Sequence, residues 1–110
     1  MISYDDFLKV DIRVGKIIEA KPFPEARVPA YQLKIDFGPE IGVKVSSAQI
    51  TYSYEIKELP GKNILAVVNF PEKQIGKFMS EVLVLGVPLD DGRVPLLTVA
   101  EEVPLGKRIF

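Results

Sequence analysis

The residues best suited to chemistry lie between Asn69 and Ser80. Asn69, Lys73, Gln74, Lys77 and Ser80 form a polar segment between two apolar runs, Ile64–Phe70 and Val82–Leu85. Amides and hydroxyls exchange hydrogen bonds, and lysines neutralise phosphates. This is the chemistry of binding rather than of bond cleavage. The flanking runs are rich in Val, Ile and Leu, which suits buried strands. A polar loop between two rigid strands is a common place for a site, although composition alone favours an ordinary solvated connection. Three aromatics, Phe37, Phe70 and Phe78, lie near Lys34, Lys44, Lys73 and Lys77. Basic grooves with stacking aromatics hold single-stranded nucleic acid. Phe37 ends an alternating strand and reads as core; Phe78 follows polar residues and reads as exposed.

Catalysis is disfavoured. The chain has neither cysteine nor histidine, so thiolates, imidazole bases, disulfides and the usual zinc ligands are missing. No cofactor or metal is expected, and no P-loop or dinucleotide fingerprint occurs. The acidic pairs Asp5-Asp6, Asp90-Asp91 and Glu101-Glu102 are joined only by adjacency, and neighbours on a strand point opposite ways. Lys44 and Ser46 share a strand face, but a Ser-Lys dyad also needs an oxyanion hole and a desolvated lysine, which no motif suggests. The 14 basic side chains are offset by 15 acidic ones, for a net charge of −1. Any RNA site is therefore a local patch, binding weakly and, with few phosphates neutralised, with a modest salt slope.

The elements follow from pattern. Ser3 caps a short helix with Asp5 and Asp6 in its first turn, and Phe7 and Leu8 pack it on the body. Val10–Ala20 reads as a strand in which Gly15 marks a bulge or a close backbone approach. Pro22, Pro24 and Pro29 set a loop around Glu25-Ala26-Arg27. Tyr31 to Phe37 alternates with period two, with Tyr31, Leu33, Ile35 and Phe37 on one face. Gly38-Pro39-Glu40 turns into a strand through Val43 and Val45. Tyr52–Leu59 is a helical turn or loop. Asn63–Phe70 and Val82–Val87 are strands, Asp90-Asp91-Gly92-Arg93 is a hairpin turn, and Leu96–Val99 and Arg108–Phe110 are late strands. Short strands with little helix predict an all-β class, a small antiparallel barrel. A partly open five-stranded barrel with short helical additions would be an OB-fold.

With 110 residues, 47% of them hydrophobic, the chain forms one domain, residues 1–110, with ample core. The apolar runs are too short for membrane insertion, and Met1-Ile2-Ser3-Tyr4-Asp5-Asp6 lacks the basic start of a signal peptide. A soluble cytoplasmic protein is expected.

The segments VVNFP, IGKF and SEVLVLG between Val67 and Gly86 resemble the tRNA-binding OB domain family. DIRVGKI at Asp11–Ile17, FPEARVPAYQLKIDFG at Phe23–Gly38, VKVSSAQIT at Val43–Thr51 and VPLGKRI at Val103–Ile109 agree in order. The resemblance covers nearly the whole chain. That family includes domains of methionyl- and phenylalanyl-tRNA synthetases, free-standing dimeric tRNA-binding proteins and CsaA-type export chaperones; SSAQIT and SEVLVLG are most similar to the chaperone branch. The resemblance implies a homodimeric chaperone that binds unfolded or presecretory polypeptides in protein export, without ATP. Its groove would comprise Arg27, Phe37, Lys44, Ser46, Ser47, Gln49, Asn69, Phe78 and Ser80. The alternative is a tRNA-binding module whose contacts, carried over, are Asn69, Lys73, Lys77 and Ser80. Glu72 stands where a basic residue would help, and Glu81-Val82 replaces the usual Gly-Met; both weaken the phosphate-binding case. Ile2, Phe7, Leu8, Ile109 and Phe110 are the expected dimer contacts.

Overall fold

A computed structural model describes residues 1–110. Ser3 starts the first helix, α1 (Tyr4–Leu8), through a reciprocal capping box. Its hydroxyl accepts from the Asp6 N–H at 3.2 Å, and the Asp6 carboxylate accepts from the Ser3 N–H at 3.0 Å. The Ser3 N–H foremost, with the Ser3 hydroxyl, holds the Asp6 carboxyl below its ordinary range.

The long strand β1 (Ile12–Pro22) is the centre of the sheet. It pairs antiparallel with β2 (Tyr31–Asp36) on one side and β4 (Asn63–Val67) on the other. Beyond them lie β3 (Val43–Ala48) and β7 (Leu83–Val84), giving the order β3-β2-β1-β4-β7. All four pairings are antiparallel. The outermost strands, β3 and β7, therefore run in the same direction, and the sheet curls until they nearly meet. The result is the expected all-β, five-stranded OB-fold barrel with short helical additions.

The alternating face of β2 builds the core. Leu33, Ile35 and Phe37 have 1%, 0% and 0% exposure, and they pack with Ile17, Leu59 and Ile64. Gly15 makes this possible. A Cβ there would lie 2.6 Å from Ile35 Cγ2 and 2.7 Å from Phe37 Cε1. The close approach expected of Gly15 is real; the register shift lies elsewhere, between Ile17 and Glu19.

Several local expectations change. The turn at Gly38 is one turn of helix, α2 (Gly38–Ile41), with a proline in its first turn. The helical turn expected within Tyr52–Leu59 is a 3-10 turn at Ile56–Glu58. The late strands reduce to single bridges, Gly86↔Leu96 and Arg13↔Arg108. The segment read as a loop contains a hairpin, β5 (Lys73–Ile75) and β6 (Phe78–Ser80). Gly76 and Lys77 join them in two residues. Gly76 has φ 61° and Lys77 does not have positive φ, the arrangement of a type II′ turn. No helix is long and apolar enough to cross a membrane.

Candidate functional site

The barrel closes along the seam between β3 and the segment Ser80–Val84, mostly through side chains. The Glu81 N–H donates to the Val45 carbonyl at 2.8 Å. In return the Val45 N–H donates to Glu81 Oε1 at 3.0 Å. The Ser47 N–H donates to Ser80 Oγ at 3.0 Å. Ser46, 1% exposed, donates its hydroxyl to the Val82 carbonyl at 2.9 Å. Every buried polar group here has a partner, as burial demands.

Past Ser47 the seam opens into a cleft of about 670 Å³. One wall is the end of β3, Ser47 to Ile50; the other is Ser80 to Val84 with Gly86. Lys73 and Ile75 of the hairpin overhang it with Phe70, and Val94 and Leu96 form its base. The base is pinned from the preceding turn. The Val94 N–H donates to Ser53 Oγ at 2.6 Å and the Leu96 N–H to the Tyr54 hydroxyl at 3.0 Å. Tyr54 is itself fixed, because the Tyr31 hydroxyl donates to its carbonyl at 2.8 Å. Of the 17 lining residues only Lys73 and Glu81 are charged. Clefts of roughly 300–1,000 Å³ that are mainly apolar with a few placed polar groups suit organic ligands.

The expected residues divide. Ser47, Gln49, Lys73 and Ser80 line the cleft. Phe37 does not: it is wholly buried, and it offers no surface to a peptide. Ser46 is likewise buried, its donor committed to the barrel. Asn69 is exposed but works as a clamp. Its Oδ1 accepts from the Asp11 N–H at 3.0 Å, and its Nδ2 donates to the Lys9 carbonyl at 2.8 Å, pinning the connection between α1 and β1 to the segment that follows β4. Phe78 stacks edge-on against Phe23 at 5.3 Å and faces a recess of about 40 Å³ beside Lys34, outside the cleft. Lys44 is half-buried, and Arg27 and Lys77 are exposed; none of the three lines the cleft. Sequence reading missed Ile50, Ile75, Val82, Val94 and Leu96. Their signal is thin, since buried apolar residues read as core, and Ile50 and Val82 do belong to the core cluster.

Charge elsewhere is locally neutralised. Lys34 first, then Lys21, hold the Glu19 carboxyl below its ordinary range. Bonding to Asp11 raises the Arg13 guanidinium further. Arg93 donates through its N–H and guanidinium to Asp91 in the hairpin turn and lowers that carboxyl. Lys73 and Lys77 are in no ion pair. No group of three or more carboxylates gathers to hold a metal.

Residues 12–108 match the family described as "Putative tRNA binding domain". The chain belongs to that family. Among solved structures, the chaperone CsaA from Bacillus anthracis is 51% identical, with TM-score 0.94 over 100% of this chain and 99% of that one. The CsaA chaperone protein from Picrophilus torridus is 58% identical, with TM-score 0.93 and full coverage of both chains. The methionine–tRNA ligase of Pyrococcus abyssi is 38% identical over 98% of this chain. The chain spans only 14% of that ligase and 16% of the Bacteroides fragilis one, which is 33% identical. The chain is thus a CsaA-like member of the tRNA-binding OB domain family.

Proposed function

We propose that this protein is a cytoplasmic, ATP-independent chaperone of the CsaA kind, whose cleft holds apolar stretches of unfolded or presecretory polypeptides. The supporting observation is the chemistry of the cleft: an apolar interior of Ile50, Val82, Val94 and Leu96, uncharged donors and acceptors at Ser47, Gln49 and Ser80, and a single lysine. Apolar walls take nonpolar side chains, and short polar groups pair with peptide backbone at little desolvation cost. Backbone pairing is common to all sequences, so specificity is broad. The mixed rim favours basic flanks through Glu81. Affinity is micromolar, because an unfolded client loses conformational entropy on binding.

The protein acts as a homodimer in this reading. The last residues lie against the first. The Ile109 N–H donates to the Ile12 carbonyl at 2.8 Å, and Arg108 donates to the Leu8 carbonyl at 2.6 Å. Ile2 and Phe110 remain 77% and 91% exposed, with Leu8 also exposed. Apolar surface of this kind suits a dimer interface. Sedimentation at micromolar concentration should give the dimer mass; the monomer mass there refutes this assembly.

A tRNA-binding role is the second reading, supported by the family match and by the unpaired lysines on the hairpin. Fluorescence anisotropy separates the two. An apolar-basic peptide should bind, a scrambled acidic control should not, and tRNA should bind more weakly with a shallow salt slope. If Lys73→Glu with Lys77→Glu abolishes tRNA binding, the hairpin is the RNA site. Equal binding of both peptides refutes the polypeptide cleft and puts the RNA reading first.

A further inference from the structure

The bonding along β3 leaves unpaired backbone groups at the cleft. In a strand, successive peptide groups alternate between the two neighbours. Val45 and Ser47 turn their N–H groups to the seam, where Glu81 and Ser80 take them. Gln49 is next in that alternation and lines the cleft, but neither its N–H nor its C=O has a partner within the protein. The opposite wall mirrors this. The Leu85 N–H bonds to Leu65 and the Val87 N–H to Pro95, both away from the seam. Gly86, between them, lines the cleft with its N–H and C=O unpartnered. The barrel ladder thus stops with free peptide groups on both sides of a gap, and the two walls run in the same direction.

We propose that the client enters this gap as an extended strand, pairing its backbone with Gln49 on one side and Gly86 on the other. Strand addition at an open sheet edge takes affinity from main-chain bonds and specificity from pockets that receive alternate side chains. Here the inward side chains would meet Ile50, Val82 and Leu96, and the outward ones would meet water and the hairpin. The near-neutral lining offers a phosphate backbone only one lysine and suits an uncharged main chain. The preferred client segment is β-prone, apolar at alternate positions and free of proline, which has no N–H to give. This occupant presupposes the polypeptide-binding reading of the cleft.

The probe is a short synthetic peptide alternating valine and serine between terminal lysines, together with a set of copies N-methylated at one position each. Anisotropy on the wild-type protein should show a period-two pattern. Methylation at a residue paired with a wall should weaken binding about tenfold, and methylation at its neighbours by less than about twofold. In parallel, amide hydrogen exchange should show the Gln49 and Gly86 N–H groups exchanging freely in the unbound protein and slowing about tenfold or more at saturating peptide. Binding that tolerates methylation at every position, or that leaves both amides unprotected, overturns strand addition while leaving the chaperone reading intact. A peptide that does not bind at all overturns both.

Discussion

The two ends of the barrel seam are built from similar residues and do different things. At the Val45 end, one peptide-to-peptide bond, from the Glu81 N–H to the Val45 carbonyl, is joined by bonds through the Ser46 and Ser80 hydroxyls and the Glu81 carboxylate. At the Gln49 end, the same kind of side chains stand beside peptide groups that have no internal partner. An internal bond fixes a polar group and removes it from recognition; an unmade one leaves it for a ligand or water. The closed end is therefore the scaffold, and the open end is the proposed binding surface. A serine on β3 belongs to one or the other according to the strand face that carries it: Ser46 shares the buried face with Ala48, and Ser47 the outer face with Gln49.

The contrast is tested most severely by Phe37→Ala. Phe37 is wholly buried beneath Gly15 on the scaffold side. Removing it should cost about 3–5 kcal/mol in urea unfolding, while the molecules that remain folded bind peptide as before. Lost peptide binding without lost stability would place Phe37 in the site and erase the boundary drawn here. Ser46→Ala comes next. It takes away the buried donor to the Val82 carbonyl, and the more distant Ser80 hydroxyl, 3.4 Å from the same oxygen, is a poor substitute. A loss of about 1–2 kcal/mol is expected in the same measurement.

Most of the scaffold was legible from sequence. The alternation of Tyr31–Phe37 fixed the buried face of β2, Ser3 with Asp6 marked the first helix, and Asp91-Gly92 marked a turn, because each signal is local. The hairpin at Lys73–Ser80 was not legible. Its strands are three residues each and mostly polar, so no apolar period announces them. The site was only half legible for a related reason. Ser47, Gln49, Lys73 and Ser80 have the right chemistry and do line the cleft. Asn69 and Ser46 have the same chemistry, yet their partners lie 58 and 36 residues away in sequence. Residue type states what bonds a side chain can make; only the folded register decides whether they are already made.

On the open side, Ile75→Asp should sharpen the comparison. Ile75 overhangs the cleft from the hairpin and is half-buried. A carboxylate there should weaken binding of an apolar peptide about tenfold, near 1.4 kcal/mol, and leave unfolding within about 0.5 kcal/mol of wild type. A large stability loss with unchanged affinity would make the hairpin part of the scaffold.

The smallest expected effect belongs to Glu81, which touches both ends. Its Oε1 accepts from the Val45 N–H on the closed side, and its side chain also lines the cleft as the only acid there. Glu81→Gln separates the two roles. The amide oxygen can accept the same bond, so unfolding should shift by less than about 0.5 kcal/mol, whereas Glu81→Ala orphans the Val45 N–H and should cost about 1 kcal/mol. The charge is lost in both variants. At low salt, both should show about a two- to threefold smaller preference for a peptide with basic flanks over the same peptide with neutral ones, and added salt should narrow the gap from wild type. The two readouts are independent: stability follows the acceptor and selectivity follows the charge. Glu81→Gln as destabilised as Glu81→Ala would mean that the carboxylate's charge, rather than its oxygen, closes the seam. An unchanged preference in both variants would mean that this end of the cleft does not sense the client's charge.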